Sequence, residues 1–173
     1  VFFFTGDKIM KKIKMLKNKY TMDDAYERLM KRSKNFSVDK MHTLFYPYLK
    51  INYLVDMGEK LKRLNENVVC MVDMYTGRES VAKTKGEFIE IDADAKLMMP
   101  LKIQRESALK NAPLTIGTTI MGRKKVIKIP DIIHQDDEIV YKPFYVVECR
   151  NSDKEVFHIL FDSVLGDFSL LNA

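Results

Sequence analysis

The sequence predicts an α+β fold of two tandem units, each a helix packed on a small antiparallel β-sheet, with an extra basic helix at the N-terminus. Three observations predict it. Apolar residues alternate with a period of two in several short runs, the mark of half-buried strands. Those runs recur in the same order in both halves of the chain, as an internal repeat does. A stretch with helical spacing precedes each set of runs. The boundaries read as 1–20 for the tail of a preceding unit plus the basic helix, 21–92 for the first helix–sheet unit and 93–173 for the second. The linker between units falls near residues 92–100, ending in Met98-Met99-Pro100.

Taken in order, Phe2-Phe3-Phe4-Thr5-Gly6-Asp7 lines up with Asp73-Met74-Tyr75-Thr76-Gly77-Arg78. It reads as the end of an earlier unit, which makes the chain the C-terminal part of a longer protein. In the lysine-rich residues 8–19, Ile9, Met10, Ile13 and Leu16 have the spacing of an amphipathic helix. Thr21 is a good N-cap, with Asp24 three residues on as its capping-box acid. The helix it opens carries Ala25, Leu29 and Met30 as an apolar stripe and ends near Asn35.

Phe45-Tyr46-Pro47-Tyr48 opens the first strand, whose Leu49, Ile51, Tyr53 and Val55 share one face. Tyr141-Lys142-Pro143-Phe144 opens its counterpart, with Tyr145, Val147 and Cys149 on one face. Proline is tolerated where the ladder has barely begun. After each comes a polar stretch and a second apolar run, residues 68–77 and 157–166, closing in an acid and a glycine turn. Asp73 matches Asp162 and Gly77 matches Gly166; glycine supplies a positive φ at no steric cost. A short strand follows each turn, at residues 78–82 and 168–171. In the second unit a helical pattern at residues 104–111 is interrupted by Pro113. Residues 114–125 form a weaker helical stretch, against which Gly117, Gly122 and three threonines argue.

Composition narrows the class. With 46% hydrophobic and 31% charged residues, 7 Gly and 5 Pro, the chain is neither disordered nor fibrous. No apolar run approaches the roughly 18 residues that span a bilayer. Cys70 and Cys149 are too few for a disulfide scaffold or a four-thiolate zinc site. Both fall on inner faces and behave as small apolar side chains, which leaves the compartment open. The net charge of +5 is concentrated in Lys11, Lys12, Lys14 and Lys17 and in Arg123, Lys124, Lys125 and Lys128. Such patches attract nucleic acid or an anionic membrane surface, while the plainer reading is a solvated face.

A helix followed by an antiparallel sheet, with an aromatic–Pro–aromatic first strand and a second strand closing in Val72-Asp73-Met74-Tyr75-Thr76-Gly77, resembles the PepSY-like family. Phe161-Asp162 with Gly166 repeats the pattern more loosely, Leu165 standing in place of the threonine. The resemblance covers roughly residues 21–82 and 103–171. It implies a binding or inhibitory module, often outside the cytoplasm, with no shared catalytic apparatus. A cytoplasmic location is the expectation without it.

Motifs of catalysis are missing: there is no phosphate-binding Gly-x-x-x-x-Gly-Lys, Gly-x-Gly-x-x-Gly, Cys-x-x-Cys or His-Glu-x-x-His. Of the 3 histidines, His42 precedes a strand and His158 lies on one, neither with a carboxylate at a useful spacing. His134-Gln135-Asp136-Asp137-Glu138 is the densest polar cluster. A metal-dependent hydrolase built on His134, Asp136 and Asp137 is the chemical reading, a hydrated turn between two apolar pairs the structural one. Asp73 and Asp162 recur at equivalent points, as a rule of turn geometry requires. Tyr46, Tyr48 and Phe144 fall on the outer side of their strands as candidates for partner binding. The expectation is a non-catalytic interaction or regulatory module, with no metal or cofactor, that binds a protein or peptide. A nucleic-acid-binding module using the Lys/Arg clusters is the competing expectation.

Overall fold

A computed structural model describes residues 9–32, 35–82 and 86–171. The reading of residues 2–7 as the tail of an earlier unit lies outside the described residues. The chain runs β1 (Met10–Leu16), α1 (Met22–Arg32), β2 (Phe36–Asp56), β3 (Glu66–Asp73), β4 (Glu79–Val81), β5 (Phe88–Asp94), α2 (Arg105–Lys124), β6 (Asp131–Asn151), β7 (Val156–Asp162) and β8 (Phe168–Leu171). Short 3-10 turns stand at Glu59–Leu64 and Ala95–Leu97. The fold is mixed α/β, with eight strands joined by hydrogen bonds into one sheet. Its two long members, β2 and β6, have 21 residues each. The chain divides into two compact units, and each long strand gives half its length to each. One unit is drawn from residues 1–46, 86–99 and 141–173, the other from 47–85 and 100–140.

In the unit drawn from 47–85 and 100–140, β3 pairs antiparallel with β2 from Tyr48↔Asp73 to Val55↔Glu66, and β4 pairs with β3. Leu49, Ile51, Tyr53 and Val55 of β2 and Val68, Cys70 and Val72 of β3 are buried in one cluster. That alternation is what a sheet with one covered face requires. The cover is α2, which lays Ala108, Ala112, Ile116 and Ile120 on the strands, one residue per turn on one side.

In the other unit, β6 pairs with β7 from Phe144↔Asp162 to Arg150↔Val156, and β8 follows on β7. Leu29 of α1 packs with Val147, Cys149 and Ile159, and Ala25 with Tyr145 and Phe161. So α1 covers strands distant in sequence, touching the strand that follows it through Phe36, Val38 and Met41 at the margin. The expected capping box forms: Thr21 N–H donates to Asp24 Oδ2 at 2.7 Å, and Asp24 N–H to Thr21 Oγ1 at 3.2 Å. Thr21 N–H and the Thr21 hydroxyl, which donates to the same Oδ2 at 2.8 Å, hold the Asp24 carboxyl below its ordinary range.

Four expectations are corrected. The basic N-terminal segment is the strand β1, not a helix: Ile13 and Met15 alternate inward with Ala93 and Phe45, and β5 supplies the ladder. Pro113 does not interrupt α2, because one missing N–H is outweighed by the continuous buried line from Ala108 to Ile120. Thr118 and Thr119 return their hydroxyls to the carbonyls of Leu114 and Thr115, at 2.9 and 2.8 Å. His134–Glu138 is no turn but lies inside β6, and His42 lies inside β2. Residues 92–100, read as the linker, hold the end of β5 and a 3-10 turn, with Met98 bridging Phe45, and the division between the two units falls between Met99 and Pro100.

A Cβ built on Gly117 or Gly122, both within α2, meets nothing within 4 Å. Glycine costs a helix interior about 1 kcal/mol relative to alanine. Gly117→Ala and Gly122→Ala should therefore each stabilise the fold by about 0.5–1 kcal/mol, read as a higher urea midpoint at constant slope. A lowered midpoint for both would contradict a continuous α2.

Candidate functional site

Asp73 and Asp162 end β3 and β7, opposite Tyr48 and Phe144, each the residue after a proline. Asp73 Oδ1 accepts the N–H groups of Tyr75 at 2.8 Å and Thr76 at 2.9 Å, and its carbonyl accepts that of Gly77 at 2.8 Å. Asp162 repeats this with Val164 at 3.0 Å, Leu165 at 2.9 Å and Gly166 at 2.8 Å. The two glycines have φ of +80° and +81°, the left-handed region. The next residue in each turn receives the approach to a helix. Met74 carbonyl accepts N–H from Lys102 and Ile103 at 2.8 and 2.9 Å, just before α2. Ser163 carbonyl accepts those of Lys19 and Tyr20 at 2.9 and 3.0 Å, just before α1. Both prolines, expected at strand entry, stand inside β2 and β6, and their carbonyls are used as well: Met74 N–H donates to Pro47 carbonyl at 3.1 Å, and Ser163 Oγ to Pro143 carbonyl at 2.5 Å. One carboxylate oxygen of each, Oδ1, is thus occupied by backbone donors, and Lys142 Nζ lies 2.5 Å from Asp162 Oδ2 besides.

The acids of β6 are separated from one another by their partners. Glu138 takes Lys50 Nζ at 3.0 Å, and Asp136 accepts from Asn52 Nδ2. Asp137, nearly buried, accepts from Arg105 Nε and Nη2 at 2.6 Å each, with His134 Nε2 2.8 Å from Oδ2. The Arg105 guanidinium, then burial working against it, then His134 decide the outcome: the Asp137 carboxyl is held below the usual range. His134 also meets the Tyr53 ring edge-on. Among the described residues no three His, Cys, Asp or Glu side chains stand together as metal ligands. Arg105 was not legible as a partner of Asp137, because no local spacing links the start of a helix to a strand beyond it.

Burial pushes the Cys70 thiol up to about 12 and raises that of Cys149, so neither is a ready thiolate; both are free and buried. His158 does have a carboxylate nearby, Glu148 Oε2 at 3.6 Å, across the β6–β7 ladder. Sequence spacing hides such a pair, since cross-strand neighbours lie far apart along the chain.

Tyr46, Tyr48 and Phe144 are half-buried, on the side of their strands away from the core residues. Tyr46 and Phe144 meet edge-on at 6.0 Å, and Lys142 Nζ lies 5.1 Å from the Phe144 centroid. The N-terminal basic patch faces acids: the register sets Lys12 opposite Asp92 and Lys14 opposite Glu90, and Lys17 pairs with Glu87 at 2.9 Å. Lys11 lies opposite Ala93. In the second patch Lys124 pairs with Glu66 at 3.3 Å and Lys128 Nζ donates to Met57 carbonyl at 2.6 Å, while Arg123 and Lys125 are exposed. No described helix is long and apolar enough to cross a membrane.

Two outcomes test these assignments. Asp162→Ala should destabilise by about 1–3 kcal/mol, because two backbone donors and an ammonium lose their acceptor, and Asp162→Asn should recover part of the loss. Equal stability of all three proteins would contradict the turn's role. For Asp137, a lowered folded pKa means stability that is complete above the ordinary carboxylate value of about 4 and lost as pH falls through the folded value. Asp137→Asn should therefore flatten the decline of the urea midpoint on acidification below about pH 4, and an unchanged decline would contradict the clamp.

No family model, no curated protein and no solved structure matches this chain.

Proposed function

We propose that the chain is a non-catalytic interaction module that receives an extended segment of a partner protein by strand addition at β8. The observation that carries this reading is the state of that edge. Among the described residues β8 pairs with β7 alone. Asp162 N–H donates to the Asp167 carbonyl, so the alternation of an antiparallel ladder turns the backbone groups of Ser169 and Leu171 toward β7. Those of Phe168 and Leu170 point away, to the open side. Leu170 is 68% exposed, and Leu171 is exposed as well. Other edges are guarded, as edges usually are. Glu90, Asp92 and Asp94 punctuate β5, and α2 reaches β4 through the Thr115–Glu79 hydrogen bond.

The contacts of Asp73 recur at Asp162, and we infer from this that the chain holds two copies of one helix–sheet element that exchange helices, which favours the same reading. The PepSY-like resemblance of Val72–Gly77 in sequence favours a binding or inhibitory role over catalysis. Asp137 held by Arg105 and His134, buried thiols and backbone-bound Asp73 and Asp162 leave few groups for chemistry. Nucleic-acid binding has less support, since acids lie across from Lys12 and Lys14.

Panning a phage-displayed random peptide library on the protein tests the reading. Selected peptides should alternate β-branched or aromatic residues, perturb the amide resonances of Phe168 and Leu170, and bind almost independently of salt. Leu170→Pro, which removes an N–H that faces the open edge, should weaken them at least tenfold and leave the fold intact. Full binding by Leu170→Pro would refute strand addition, and tight oligonucleotide binding that falls steeply with salt would favour the competing role.

A further inference from the structure

The geometry points to a second interaction surface, independent of the β8 edge. We propose that the turn from α2 to β6 is an interfacial anchor that seats the chain on an anionic lipid surface. Ile127 and Ile129 would enter the headgroup boundary, with Arg123 and Lys125 meeting lipid phosphates.

The turn is built to present these two side chains. Val126 packs into the core beneath α2. Lys128 Nζ is tied to the Met57 carbonyl at 2.6 Å, running through the space a Cβ on Gly58 would fill. Pro130 is buried. Val126, the Lys128 ammonium and Pro130 are thus held, and the two residues between face out: Ile127 is 95% exposed and Ile129 77%. The chain bends at Lys128, between the two isoleucines. Ile133, near the start of β6, and Leu114 of α2 add exposed apolar surface in the same unit.

Charge complements the apolar tip. Residues 123–133 hold Arg123, Lys124, Lys125 and Lys128 against one acid, Asp131. Lys124 is matched by Glu66, whereas Arg123 and Lys125 make no ion pair among the described residues. Lys125 also closes α2 at φ 51°, a left-handed position where glycine is the usual residue. A lysine there keeps a cation beside the tip at a conformational cost. Protein interfaces are poor in lysine and centre on aromatic or arginine anchors, and single-stranded nucleic acid asks for stacking rings. Aliphatic side chains rimmed by lysine match the boundary of an anionic bilayer.

Co-sedimentation of the full chain with phosphatidylcholine vesicles, with and without about one-third phosphatidylglycerol, tests this. Binding is expected to the anionic vesicles only. The double variant Ile127→Ser/Ile129→Ser should reduce partitioning at least tenfold and leave the thermal midpoint unchanged, because both side chains already face water. Lys125→Gly should reduce partitioning by about fivefold while raising the midpoint, which separates lost charge from lost fold. Absence of binding, equal binding to neutral vesicles, or undiminished binding by the isoleucine variant would overturn the proposal. So would an oligonucleotide that binds the wild type more tightly than the vesicles do and the isoleucine variant equally well.

Discussion

Everything else in this chain is arranged around a carboxylate that takes two backbone N–H groups at the end of a strand. Asp73 and Asp162 each fold the following residues into a tight turn closed by a left-handed glycine. The turn fixes the direction of the next strand, and the carbonyl of Met74 or Ser163 then receives two N–H groups from the segment ahead of a helix. A helix start would otherwise leave its approach unsatisfied. One small set of hydrogen bonds therefore sets strand register and helix position together. Hydrophobic burial supplies the larger share of the stabilisation, but it does not by itself choose where a helix begins.

The same economy governs charge. A sequence with clustered lysines and a run of three acids looks poised for chemistry or nucleic acid. In the folded chain, Asp136, Asp137 and Glu138 go to Asn52, Arg105 and Lys50 in turn, and β5 answers the lysines of β1. Among the large apolar side chains left exposed are those at the edge of β8 and the isoleucines of the α2–β6 turn. We propose them as surfaces for association, one for a strand and one for a lipid boundary. They belong to different units and make independent claims.

Local rules were readable in advance. The period of two in β2, β3, β6 and β7, the capping box of Thr21 and Asp24, and the acid–glycine turns all depend on neighbours within a few residues. What escaped depends on distant partners. Ile13 and Met15 fit a strand, and Ile9, Ile13 and Leu16 fit a helix; only β5 decides between them. Pro113 and two glycines argue against α2, yet its inner line of Ala108, Ala112, Ile116 and Ile120 is held by strands read separately. The acids of β6 resemble a turn until Lys50 and Asn52 across the ladder are seen. Exposure of Ile127 has no local signal at all, since it follows from the anchoring of its neighbours.

Native-state hydrogen exchange measures the organising contact directly. The amides of Thr76 and Leu165 belong to exposed residues, and Tyr75, Val164, Gly77 and Gly166 complete the two turns. All six should be protected far beyond the rate of an open loop, together with those of Lys19, Tyr20, Lys102 and Ile103 ahead of the helices. Exchange of these amides at the rate of an unstructured loop would mean that the carboxylates do not organise the fold.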